Sequence, residues 1–95
     1  MRILVAEDEE IALKHMLYAL KKAGHDAAGV GNGLDALEKF KASTFDLLIA
    51  DLKMPGMDGI ALLAEVKEKY PDTTVMIVTG FGSIDSAVAA MRQGA

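Results

Sequence analysis

Short unbroken apolar runs alternate along this chain with apolar stripes at helical spacing. Ile3-Leu4-Val5-Ala6, Leu47-Leu48-Ile49 and Thr74 to Val78 are runs of the first kind, the pattern of strands buried on both faces. Asp26 to Val30, with two alanines and a glycine, reads as a weaker strand at a sheet edge. Between the runs, Ile11, Leu13, Met16, Leu17 and Leu20 mark one helix, and Leu34, Leu37 and Phe40 a second. Ile60, Leu63 and Val66 mark the buried stripe of a third helix, and Ile84, Val88 and Met91 that of a fourth. Strands and helices in strict alternation, joined by short loops, predict an α/β fold built as a three-layer, doubly wound parallel sheet.

Boundary residues agree with that division. Glu7 to Glu10 open the first helix at the positive end of its dipole, Lys21 and Lys22 close it, and Gly24 stops it. Asn32 is the expected N-cap of the second helix, with Asp35 three residues on in capping-box style. Asp58 is placed to cap the third helix, which halts before Pro71. Ser83 and Gly94 bracket the fourth. Thr74 to Val78 reads as an interior strand, yet no later strand follows. The expectation is a fold left incomplete at Ala95, whose open fourth strand could pair with a second copy.

Composition narrows the class. Ninety-five residues suffice for one domain, and 52% apolar with 25% charged residues is a globular balance. A net charge of −4 offers no basic face for nucleic acid. The chain has no cysteine, which excludes disulfides and fits a reducing cytosol. No apolar run nears the roughly 18 residues of a membrane span, and acids interrupt the N-terminal run that a signal peptide would need. The expected location is cytoplasmic. The six methionines read as pliable core filler.

Candidate chemistry gathers at strand ends. Asp51 closes the third run, where an open α/β sheet places its crevice. If strands one and three are neighbours, Glu7, Asp8 and Asp51 meet there, and their mutual repulsion calls for a hard divalent cation. Mg²⁺ suits few carboxylates, several waters and phosphate oxygens. A carboxylate beside it can attack phosphorus and form an acyl phosphate. Thr79, ending the fourth strand, could offer a hydroxyl to that group. Each residue has an ordinary reading by itself: the acids as a helix start, Asp51 as a strand-end cap, Thr79 as a β-branched strand residue. Their joint placement is harder to explain that way. A remote alternative is a dinucleotide-binding fragment, because Gly31-Asn32-Gly33-Leu34-Asp35-Ala36 fits G-x-G-x-x-A between a strand and a helix.

AEDE at Ala6 to Glu9, DLKMPGMDG at Asp51 to Gly59 and TGFGS at Thr79 to Ser83 resemble the receiver domain of two-component response regulators across the whole chain. GFGSIDSAVAAMRQGA is similar to receivers of sigma-54-dependent transcriptional activators. The resemblance implies a flavodoxin-like strand order 2-1-3-4 over residues 1–95, with a fifth strand and helix missing. It implies that Asp51 accepts a phosphoryl group from a sensor histidine kinase, and that the domain is a switch with only self-phosphorylation and self-dephosphorylation chemistry. Mg²⁺ would be held by Asp8, Asp51 and the Lys53 backbone carbonyl, with Glu7 acting through water and Thr79 as the switch hydroxyl. An output domain would lie beyond residue 95. The family's phosphoryl-pairing lysine sits on the fifth strand, and Lys53, Lys67 and Lys69 do not match it. A dimerising or strand-exchanging module is the alternative role.

Overall fold

Each strand is five residues long and grows from the apolar run that seeds it. The computed structural model describes residues 1–52, 54 and 56–78. In chain order these form β1 (Arg2–Ala6), α1 (Glu10–Lys22), β2 (Asp26–Val30), α2 (Gly33–Ala42), β3 (Leu47–Asp51), α3 (Gly59–Lys69) and β4 (Thr74–Val78). All strand pairings are parallel, in the order β2-β1-β3-β4. Side chains alternate across the sheet. Leu4, Ala6, Leu48, Ala50 and Val75 face α2 and α3, joined by Leu62, Val66, Phe40 and Met54. Ile3, Val5, Leu47 and Ile49 face α1. Burial on both faces explains the runs without alternation, and every residue of β3 is buried.

Local chemistry sets the helix ends as the sequence suggests. Gly24, at φ 95°, follows α1. Its N–H donates to the Lys21 carbonyl and that of His25 to the Leu20 carbonyl, the paired bonds of a Schellman stop. Asn32 Oδ1 accepts from the Asp35 N–H at 2.8 Å, and Asp58 Oδ1 from the Ala61 N–H at 2.8 Å. One detail differs: the Asp35 carboxylate takes the Asn32 side-chain amide at 3.1 Å, so the pair is not a full capping box.

Helix rotation differs more. Leu34 and Ile60, expected to be buried, are 61% and 54% exposed, and Ile11 is 70% exposed. The inward positions are Gly33, Ala36 and Phe40 on α2, and Gly59, Leu62 and Val66 on α3. Both sets follow i, i+3, i+7 from a glycine. In each case the first turn lies against its neighbour, tightly on the Met57 side chain at Gly33 and on the Asp51 backbone at Gly59, which turns the following large residue outward. α1 carries no fully buried residue; Leu13, Met16, Leu17 and Leu20 are half-covered. A methyl group on Gly29 would lie 2.8 Å from a Leu13 methyl and 2.9 Å from a Leu17 methyl. The small residues of β2 thus let α1 approach the edge strand. Met54 is buried in the core, but Met1 is 64% exposed. Among the described residues no helix is long and apolar enough to cross a membrane.

Candidate functional site

The register between β1 and β3 pairs Ala6 with Ala50, so the next residues, Glu7 and Asp51, leave the sheet side by side. The Glu7 N–H donates to the Val30 carbonyl at 3.0 Å, which extends the β1–β2 ladder and holds the chain where it turns toward α1. Glu7 and Asp51 are 7% and 5% exposed, while Asp8 is open to solvent. One carboxylate oxygen from each of Glu7, Asp8 and Asp51 lies within 4.8 Å of the other two. The acids do not belong to α1, which begins only at Glu10.

Burial pushes the Glu7 carboxyl from 4.5 up to about 7. The Asp51 charge, a hydrogen bond shared with Asp51 and the Asp8 charge push the same way. The Glu9 N–H, which donates to Glu7 Oε1 at 3.2 Å, opposes them. A cluster that retains a proton near neutrality is short of positive charge, and a hard cation supplies what the proton otherwise must. All-oxygen donors in a half-open site suit Mg²⁺ or Ca²⁺, and exposed Asp8 gives the ion an entry path.

The backbone beneath Asp51 is clamped from two sides. The Leu52 N–H donates to the Val78 carbonyl at 2.7 Å, and the Gly59 N–H donates to the Leu52 carbonyl at 3.0 Å. A Cβ on Gly59 would lie 2.5 Å from the Asp51 carbonyl oxygen, so the start of α3 presses directly on the phosphoacceptor candidate's backbone. The sequence marks Asp58 as the cap but does not by itself show what Gly59 presses against. The usable signal was a glycine in a first helical turn, where alanine is otherwise preferred.

The structure therefore brings together Glu7, Asp8 and Asp51. Lys53, Thr79, the loop from Gly80, the fourth helix and Pro55 lie outside the described residues. Gly33, which the dinucleotide reading needs bare for a pyrophosphate, is covered by the Met57 side chain.

Residues 3–95 match the family described as the response regulator receiver domain. The chain is 39% identical over 89 residues to the DNA-binding transcriptional regulator NtrC of Escherichia coli K12, covering 93% of this chain and 19% of NtrC. It is 40% identical over 83 residues to the response regulator receiver protein CpdR of Brucella abortus, covering 87% of this chain and 69% of CpdR. The chain spans about a fifth of the length of FleR, ZraR and NtrC, although the matches cover 93% or more of this chain. Among solved structures, the response regulator TrrA of Thermotoga maritima in complex with Mg²⁺-BeF superimposes with a TM-score of 0.79 at 31% identity, covering 94% of this chain and 79% of TrrA. TrrA in complex with the histidine kinase ThkA gives a TM-score of 0.81 at 30% identity, covering 95% and 78%. The 2-1-3-4 parallel sheet, the acids that it gathers at one edge and these matches agree: the chain belongs to the response regulator receiver domain family.

Proposed function

We propose that this domain is a Mg²⁺-dependent phosphoacceptor that takes a phosphoryl group from a sensor histidine kinase onto Asp51. The convergence of Glu7, Asp8 and Asp51 within 4.8 Å carries the reading. TrrA, similar in fold, has been solved with Mg²⁺-BeF and with a histidine kinase, which supports both the ion and the donor. An Asp51 carboxylate oxygen attacks phosphorus, the phosphorus–nitrogen bond of the phosphohistidine breaks, and the imidazole leaves and takes up a proton. When bound, Mg²⁺ supplies charge neutralisation to the cluster and to the phosphoryl oxygens. Asp8 and Asp51 would hold it, with the Lys53 carbonyl. Glu7 would act through water. The hydroxyl of Thr79 would answer the new charge as the switch, passing the signal to an output domain in a cytoplasmic transcription regulator.

Two measurements test this. Mg²⁺ at ten times its dissociation constant should stabilise the fold by about 1.4 kcal/mol, a rise in Tm of roughly 6–11 °C for this size, and Asp51→Asn should abolish most of it. Incubation with acetyl phosphate and Mg²⁺ should add one phosphoryl mass at Asp51. A metal-independent Tm together with an unmodified Asp51 would end the proposal.

A second reading is self-association along β4. Met76, Ile77 and Val78 are only half-covered, and among the described residues β4 bonds to β3 alone. Light scattering that showed monomer alone would remove it.

A further inference from the structure

The loop between β3 and α3 leads from Asp51 to the cap at Asp58, and Met57 on it reaches a neighbouring helix. Met57 is half-buried and packs against the core side that holds α2 and α3. Its side chain lies along the first turn of α2. A methyl group on Gly33 would come within 3.0 Å of Met57 Cβ and 3.1 Å of its Cγ and Sδ. That is contact along the length of the side chain, not at a flexible tip alone. Gly33 itself is buried, and Asn32 immediately before it caps α2, so this wall of the contact is fixed. Gly56, at φ 82°, makes the bend that aims Met57 across the gap. Met54, three residues earlier in the same loop, is buried in the core. The loop is thus anchored by side chains at Met54 and Met57, one into the core and one onto a neighbouring helix.

We propose that Met57, seated on Gly33, is a positioning residue for the metal site: it braces the loop that follows Asp51 against α2 and so holds the carboxylate and the adjoining backbone in ion-binding geometry. The inference rests on the Mg²⁺ reading above. Few protein ligands share a Mg²⁺ ion that tolerates little departure from octahedral geometry, so a loop free to shift by a fraction of an ångström loses affinity. Residues that orient ligands without touching the ion commonly change affinity by about 10–100-fold.

The test is a double-mutant cycle read by Mg²⁺ titration calorimetry, with Tm measured without metal on the same proteins. Met57→Ala should raise the Mg²⁺ dissociation constant about tenfold, within the range for such residues. Met57→Leu, which restores the bulk on Gly33, should return it to near the native value. Gly33→Ala should weaken binding by pushing Met57 away, and should be harmless in the Met57→Ala background, where the space is empty. Leu63→Ala removes a half-buried α3 side chain from the same core and should lower Tm while leaving the dissociation constant unchanged. Equal Mg²⁺ affinity in native protein and Met57→Ala would overturn this inference alone. No Mg²⁺ binding by the native protein would instead overturn the function it rests on.

Discussion

Replacing Gly59 by alanine is the sharpest test of how the site is built, because two effects predict opposite signs. In a first helical turn the exchange usually stabilises by about 0.5–1 kcal/mol, since glycine has more unfolded freedom to lose. Here the added methyl would lie 2.5 Å from the Asp51 carbonyl oxygen and 3.0 Å from both its carbonyl carbon and Leu52 Cα. These are backbone atoms at the end of a buried strand and in the residue after it, and none can rotate aside. The start of α3 must retreat, stretching the 3.0 Å bond from the Gly59 N–H to the Leu52 carbonyl. Losing that bond costs about 1 kcal/mol and overpacking about 1–3 kcal/mol. After the helix-propensity gain, a net loss of about 1–3 kcal/mol remains, a fall in Tm on the order of 10 °C. Thermal unfolding followed by circular dichroism reads it directly, and Mg²⁺ affinity should fall too as Asp51 is displaced. An unchanged or higher Tm would refute the claim that α3 bears on the Asp51 backbone.

Three further outcomes follow from the same structure. Because the folded state holds the Glu7 proton up to about pH 7 and the unfolded chain releases it near 4.5, that group's contribution is full below 4.5 and is lost as pH rises to 7. Metal-free Tm should decline across that window, Glu7→Gln should flatten the decline, and Mg²⁺ should offset it at pH 7 and above. Asn32→Ala and Asp58→Ala each remove an N-cap bond of 2.8 Å and should cost about 1 kcal/mol in urea unfolding, with the m-value unchanged. Leu62→Ala, at a site with no exposure, should cost about 2–5 kcal/mol. Ile60→Ala, at 54% exposure, should change stability far less, reversing the order that apolar spacing alone suggests.

What the sequence disclosed was mostly local. Gly24, Asn32 and Asp58 act within a few residues of themselves, so their roles can be read without knowing the tertiary structure. The meeting of Glu7 with Asp51 was legible for a different reason. Parallel pairing of two buried runs puts the residues that end them at one edge, whatever the detailed packing. Helix rotation was not legible, because it is decided by contacts between elements. Leu34 and Ile60 look like core residues until Gly33 and Gly59 are seen against Met57 and the Asp51 backbone. Likewise, Gly29 resembles a weakness in β2 until Leu13 and Leu17 are found resting on it. The raised Glu7 carboxyl needed burial as well as charge, and burial by itself is not written in an acidic tetrapeptide.

The bare backbone at Gly29 also ties the release of α1 to that of the sheet beneath it. α1 is seated there by leucines that are only partly covered, yet it packs over Ile3, Val5, Leu47 and Ile49, so lifting it off would wet the buried flank of β1 and β3. Its amide protons should therefore trade with solvent about as slowly as those of β1 and β3, through one shared opening.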